Sequence, residues 1–130
     1  MDDVSKIHFI LYVREQESSR TFFENVLNCQ PTLHVPGMTE FTLADGTILG
    51  LMPERGIASL LGLDPADISR GSIRGEVYLV VSSPEAFHRR AIAAGAKELS
   101  PLAPRNWGAQ VVYSLDPNGY ILAFASPISD

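Results

Sequence analysis

The sequence repeats one order of segments, and this repetition limits the chain to a duplicated architecture. In each half, an apolar run rich in β-branched and aromatic residues precedes a segment with helical periodicity and three short strand patterns. The first runs of the two halves, residues 8–13 and 76–81, align with each other. The ends align as well, 41–51 with 113–124, and both contain a tight-turn signal, Asp-Gly or Asn-Gly. Such self-similarity indicates two copies of one structural unit.

Each half therefore predicts a βαβββ module within a single α+β domain that covers residues 1–130. The modules span 1–53 and 74–130, and a segment rich in Gly, Pro and Asp connects them at 54–73. In the second module, Ser83 is the predicted N-cap of the helix and Pro84 its first residue, while Gly95 ends it. The predicted strands are 7–13, 32–35, 40–43, 47–52, 76–81, 99–102, 109–115 and 120–125, with the first helix at 19–27.

Composition excludes several classes of function. Of 130 residues, 45% are apolar and 19% charged, which is typical of a globular domain, and the net charge of −5 comes without a basic cluster. Nucleic-acid binding needs such a cluster to displace counterions, so none is predicted. No apolar run approaches the roughly 20 residues that span a bilayer. The acidic start lacks a secretion signal, and we expect a soluble, cytoplasmic protein in which the lone Cys29 is a buried structural thiol.

Two short segments resemble a known family. Residues 116–120, Asp-Pro-Asn-Gly-Tyr, precede the last apolar strand, and 105–108, Arg-Asn-Trp-Gly, lie shortly before them. Together with the repeat they resemble the vicinal oxygen chelate superfamily, which includes glyoxalase I, extradiol dioxygenases and bleomycin- and fosfomycin-resistance proteins. The resemblance implies two modules forming a cupped mixed sheet around a cavity, with helices on the outside, and often a homodimer. The fold hosts unrelated chemistries, so it does not define an activity.

The resemblance also implies where metal ligands would stand. In metal-dependent members they lie on the first and last strands of each module, at positions that correspond here to His8, Gly50, Glu76 and Ala123. Only His8 and Glu76 have donor side chains, whereas a catalytic divalent metal normally takes three protein ligands. We therefore expect no metal cofactor, unless another residue such as His34, or a partner subunit, supplies the missing ligand.

Strand alternation predicts which side chains face the cavity. On the first and fifth strands, His8 and Glu76 share the inner face with Tyr12 and Tyr78, while the opposite aliphatic face, which includes Phe9, should lie under helices. Trp107 is expected to cap or stack on a flat ligand. The predicted ligand-binding residues are Tyr12, Ile48, Gly50, Met52, Tyr78, Trp107 and Ala123.

His8 and Glu76 form the candidate catalytic pair. Because they occupy equivalent positions of the two modules, we expect them to face each other across the pseudo-two-fold axis and to share a hydrogen bond. A neighbouring carboxylate would raise the pKa of the imidazole, and the pair would then serve as general acid and base or orient a polar ligand. The alternative is a buried polar pair that is kept only for packing.

These residues leave three functions open. The first is a small-molecule-binding protein of the antibiotic-resistance type without a complete metal site. The second is a glyoxalase-like lyase or isomerase that uses His8 and Glu76 with a metal completed from elsewhere. The third is a structural dimer without a ligand. The identity of any ligand does not follow from the sequence.

Overall fold

The computed structural model describes residues 4–71, 73–117 and 119–128, and in this part of the chain both halves fold as a strand, a helix and three strands. The predictions made for residues 1–3 and for Asn118 lie outside the described residues. The elements are β1 Val4–Val13, α1 Gln16–Leu27, β2 Leu33–Val35, β3 Met38–Thr42, β4 Thr47–Pro53, α2 Glu54–Leu61, α3 Pro65–Ser69, β5 Gly75–Val81, α4 Pro84–Ala93, β6 Lys97–Pro104, β7 Ala109–Leu115 and β8 Ile121–Pro127.

The eight strands form one curled mixed sheet. Their order is β2-β3-β4-β1-β5-β8-β7-β6, so each module contributes four adjacent strands. Within a module the first strand pairs in parallel with the last, β1 with β4 and β5 with β8. The modules meet where β1 and β5 pair antiparallel, which shows that they associate within one chain. The predicted α+β class and βαβββ order are confirmed.

Local signals placed the helix of the second module well. The side chain of Ser83 accepts a hydrogen bond from the backbone N–H of Ala86 at 3.3 Å, and Pro84 occupies the first turn.

Helix α1 of the first module ends at Asn28, whose backbone is left-handed with φ 55°. Because α1 buries none of its side chains fully, its end lies at the surface, and Cys29 is exposed. The prediction of a buried thiol was wrong.

The convex face of the sheet is only partly covered. Helix α4 packs Phe87 and Ala91 against Val81 and Phe124, and at the other end α1 brings Phe23 to Phe41. Between these helices the centre of the sheet faces solvent, and Phe9 is 55% exposed. The prediction that helices cover this face was therefore wrong for Phe9, Leu11 and Val77.

Helices α2 and α3 of the connector occupy the concave face. Helix α2 contacts β1 and β4 on one side of the cup and β6 on the other. Its apolar face carries Ile57 and Leu61, which join Ile68 of α3 in the main core. The deep part of the cup is thus filled by the chain itself, which the sequence did not predict. No helix in the described ranges has the length and apolar character needed to cross a bilayer.

Candidate functional site: a cavity at His8

The two predicted catalytic residues are both buried on the inner face, but they do not meet. In the antiparallel register of β1 and β5, His8 stands opposite Tyr78, and Glu76 stands opposite Ile10. His8 and Glu76 are equivalent residues of the two modules, but the strand pairing does not set them opposite each other. It is shifted from that register by one inward-facing residue on each strand. The predicted His8–Glu76 hydrogen bond does not form, and each side chain has a different partner.

Glu76 belongs to a buried cluster of hydroxyl groups. Tyr12 donates a hydrogen bond from Oη to Glu76 Oε1 at 2.7 Å, while Glu76 Oε2 and Tyr113 Oη have no hydrogen-bond partner among the described residues. Burial raises the pKa of Glu76 to about 8, and the hydrogen bond from Tyr12 opposes this rise only in part. At neutral pH, with no cation bound, the carboxyl group is therefore mostly protonated.

His8 lies against an aromatic ring and near a different carboxylate. Its imidazole stacks on Tyr78, with 4.5 Å between ring centroids and 27° between planes. Its Nδ1 makes no hydrogen bond within the part of the chain that the structure describes, and Glu40 Oε2 lies 3.6 Å away. Burial lowers the pKa of His8 to about 4, and the positive charge of Lys6 contributes to this decrease. The expected rise of the histidine pKa was wrong, because burial of the ring disfavours the charged imidazolium and the charge of Lys6 acts in the same direction.

Glu40 is a residue of this site that was not predicted from the sequence. Its side chain shares the inner face of β3 with the fully buried Met38, whereas Phe41 points to the outer face and α1. Its partner in the register of β3 and β4 is Gly50, so β4 places no side chain opposite it. Burial raises the pKa of Glu40 as well. Alternation along 38–42 could have assigned this face, but the contact with His8, two strands away, depends on the curvature of the sheet.

A cavity of about 200 Å³ opens beside His8. Trp107 forms part of its wall and donates a hydrogen bond from Nε1 to Tyr78 Oη at 3.0 Å. The Tyr78 side chain is therefore held by stacking on His8 and by this hydrogen bond from Trp107. Apolar side chains complete most of the surface, and Lys6 lies at the cavity with an exposed side chain. The cavity is lined by Lys6, His8, Glu40, Ile48, Tyr78, Val80, Trp107, Gly108, Ala109, Ala125, Ser126 and Pro127.

The predicted ligand-binding residues divide into two groups. Ile48, Tyr78 and Trp107 line the His8 cavity. Tyr12, Met52 and Ala123 belong to the core that also contains residues of α2 and α3. Gly50 is buried too, and a Cβ added there would meet Cγ1 of Ile10 at 3.1 Å. The absence of a side chain at this position therefore leaves no space for a ligand, because Ile10 occupies it.

The cavity lies beside a contact between opposite ends of the sheet. Asn106, in the turn between β6 and β7, donates from Nδ2 to the carbonyl oxygen of Pro36 at 2.6 Å. Pro36 lies in the turn between β2 and β3, and β2 and β6 are the two edge strands. The sheet therefore curls until these turns touch, which holds the neighbouring Trp107 over the inner face.

The donor set does not fit a catalytic divalent metal. Among the residues that the structure describes, no three His, Cys, Asp or Glu side chains converge on one point. His8 and Glu76 have separate partners: Glu76 accepts the hydrogen bond of Tyr12, and His8 stacks on Tyr78 beside Glu40. His34, the candidate third ligand, instead contacts Thr39 Oγ1 and Glu17 Oε1, each at 2.8 Å.

Comparison with known proteins identifies the family. The family model of the Glyoxalase/Bleomycin resistance protein/Dioxygenase superfamily matches residues 7–124. The chain belongs to this superfamily. No curated protein sequence matches this superfamily member significantly.

Solved structures share its fold at low sequence identity. A chain described as NAD-dependent benzaldehyde dehydrogenase from Legionella pneumophila has a TM-score of 0.68 and 19% identity, covering 94% of this chain and 99% of its own. A methylmalonyl-CoA epimerase from Streptomyces coelicolor has a TM-score of 0.69 and 12% identity, with 98% and 97% covered. A hypothetical protein from Bacillus halodurans has a TM-score of 0.66 and 17% identity, with 99% and 96% covered. At such identities these similarities concern the fold alone.

Proposed function

We propose that this superfamily member binds a small, flat, partly polar molecule in the His8 cavity without a metal ion. The observation that carries the proposal is the buried Nδ1 of His8, which has no hydrogen bond although its ring lines the cavity. A buried polar atom left unsatisfied costs about 1–3 kcal/mol, and a ligand that bonds to it recovers this cost. The 3.6 Å between His8 Nδ1 and Glu40 is too long for a good hydrogen bond, which favours an inserted polar atom of the ligand.

The walls favour a single-ring ligand. Tyr78 and Trp107 offer aromatic surface, and Ile48, Val80 and Ala125 offer aliphatic surface. The volume of about 200 Å³ is smaller than the roughly 300–1,000 Å³ of sites for drug-sized molecules. With the pKa of His8 near 4, the imidazole is neutral at pH 7, so it offers one donor and one acceptor to the ligand. A phenol or a small aromatic acid, whose charge Lys6 would attract, has the matching chemistry.

Trp107 provides the test, because it is the chain's one tryptophan and lies in the cavity wall. Phenol, benzoate and salicylate are titrated while its fluorescence is recorded. We expect at least one of them to change the emission saturably, and His8→Ala to weaken that binding by about tenfold, the equivalent of 1.4 kcal/mol. The matched control is His34→Ala, which removes a histidine that contacts Glu17 and Thr39 outside the cavity. No saturable change, or equal losses in the two variants, would contradict the proposal.

A proton-transfer enzyme is the second candidate. His8 Nδ1 and Glu40 Oε2 lie 3.6 Å apart, and burial lowers the pKa of His8 and raises the pKa of Glu40, so a candidate base and a candidate acid stand side by side. The fold similarity to methylmalonyl-CoA epimerase suggests a carbon acid as substrate. Methylmalonyl-CoA incubated with the protein in heavy water would then gain deuterium next to its carbonyl groups. Loss of this exchange in Glu40→Gln would support the lyase or isomerase class. Glu40 would then have the acid–base role beside His8 that was predicted for Glu76.

We further propose a homodimer through the convex face. Ile7, Phe9, Leu11 and Val77 expose large apolar side chains along the centre of β1 and β5, beside a groove that also includes Tyr120. An exposed apolar patch of this kind marks an interaction site, and a two-fold contact would bury the same patch of both subunits. Sedimentation should give a dimer, and Phe9→Ser should shift it toward monomer. A wild-type monomer at high concentration would contradict this.

A further inference from the structure

A second cavity lies at the opposite end of β1 from Lys6, where two strands lead directly into helices. Strands β1 and β4 are parallel neighbours, and Val13 pairs with Pro53 at their carboxyl ends. Helix α1 begins at Gln16 and α2 begins at Glu54, so the amino-terminal ends of both helices lie at the same crevice. The cavity has a volume of about 600 Å³ and shares no lining residue with the His8 cavity. We call it the Glu54 cleft.

Both helices present backbone donors to the cleft. Neither N-cap residue, Glu15 of α1 or Pro53 of α2, makes a side-chain cap hydrogen bond, whereas Asp64 and Ser83 cap the other two helices. The first N–H groups of a helix lack intrahelical partners and carry partial positive charge, which favours an anionic group. Two arginine residues, Arg14 and Arg55, line the same cleft.

Glu54 is the observation that points to a ligand. This residue lines the cleft, is only 9% exposed, and its side chain has no hydrogen bond or ion pair with any residue that the structure describes. Its carboxylate therefore has no cationic partner among these residues. An anion bound alone at the helix ends would add a second negative charge beside it. The cleft therefore fits a ligand that brings its own cation to Glu54 and its own anion to the helix ends.

We propose that the Glu54 cleft binds a small zwitterion of the α-amino acid type. The ligand carboxylate accepts hydrogen bonds from the N-terminal N–H groups of α1 and α2 and from Arg14 or Arg55. Its ammonium group donates to Glu54, and Ser69 of α3 borders the same space. Charge-assisted bonds of both signs give such a site its selectivity over molecules that carry one charge.

The test compares three molecules of similar shape. L-alanine carries both charges, propionate lacks the ammonium group, and ethylamine lacks the carboxylate. Backbone amide resonances of residues 14–16 and 54–56 are followed by two-dimensional NMR during titration of the isotope-labelled protein. We expect L-alanine to shift them saturably below about 10 mM, since a few charged contacts give roughly millimolar affinity, and the other two to bind at least about tenfold more weakly.

Two variants assign the roles within the cleft. Glu54→Gln should weaken L-alanine binding by about tenfold or more, and the exposed Arg55→Gln should also weaken it while leaving the fold intact. The matched controls are Glu85→Gln and Arg89→Gln on α4, whose N-terminus is capped by Ser83. Absence of saturable shifts with L-alanine, equal binding of propionate, or unchanged binding in both cleft variants would overturn the proposal. None of these outcomes affects the proposal for the His8 cavity, because the two cavities share no residue.

Discussion

Replacing Glu76 by glutamine is expected to stabilise the protein by roughly 3–4 kcal/mol more at pH 8.5 than at pH 5. Glutamine has the size of a protonated glutamate and can accept the hydrogen bond that Tyr12 donates at 2.7 Å. It cannot ionise, so it removes the cost of holding a carboxylate in the core. The free energy of unfolding, measured by urea denaturation at both pH values, gives the comparison directly.

The sign of this effect follows from the raised pKa of the buried carboxyl group. Burial raises the pKa of Glu76 from 4.5 to about 8 in the folded protein. Between these values the unfolded chain has lost the proton that the folded chain still holds, so stability falls as the pH rises. The contribution is fully present below pH 4.5 and is lost by about pH 8, with a slope of about 1.4 kcal/mol per pH unit in this interval. Glu76→Gln abolishes this dependence.

His8 acts in a different pH window and separates the two effects. Its folded pKa of about 4 lies below the usual 6.5, so its burial becomes unfavourable as the pH falls from 6.5 toward 4. Glu76→Gln should leave this acidic limb unchanged. The matched control is Glu85→Gln, which removes an exposed carboxylate from α4. Equal pH profiles for wild type and Glu76→Gln would show that Glu76 is ionised in the folded protein at pH 7.

Short-range signals in the sequence predicted most elements of this fold. Strand β7 has the predicted bounds, and the Ser83 cap and Pro84 start α4 as expected. The repeat predicted two βαβββ modules because both halves carry the same order of local patterns. Strand alternation also placed His8 and Glu76 on the inner face, since successive side chains of a strand point to opposite sides.

The contacts of the site depend on long-range geometry that these signals do not contain. Equivalence between modules suggested that His8 and Glu76 meet, but the register of β1 and β5 sets His8 opposite Tyr78. The contact between His8 and Glu40 spans two strands of a curled sheet. The Glu54 cleft arises because α1 and α2, which are distant in sequence, begin at the ends of parallel neighbours. None of these relations follows from the spacing of residues along the chain.

The connector is the clearest case in which packing decided the structure. Gly, Pro and Asp within 54–73 predicted only a connector between the modules, yet Ile57, Leu61 and Ile68 have apolar side chains at positions that suit short helices against the cup. Short helices are marginal by themselves, so burial against the sheet stabilises them. The inside of the cup, which was predicted from the sequence to be a ligand cavity, is therefore largely core. The part of the cup that stays open is the cavity at His8.

Ile57→Ala should accordingly destabilise the whole domain rather than open a surface loop. Ile57 is 1% exposed and lies in the main core with Ile10 and Tyr12 of β1, so the substitution leaves a cavity between the connector and the sheet. Substitutions of this kind cost about 2–5 kcal/mol, and urea denaturation should show one cooperative transition at lower midpoint. The matched control, Ile92→Ala on α4, alters a side chain that is 40% exposed and should cost much less. A loss of unfolding free energy in Ile57→Ala no greater than in Ile92→Ala would mean that α2 is dispensable for the core and that the cup opens in solution. Tyr12, Met52 and Ala123 would then become accessible to a ligand.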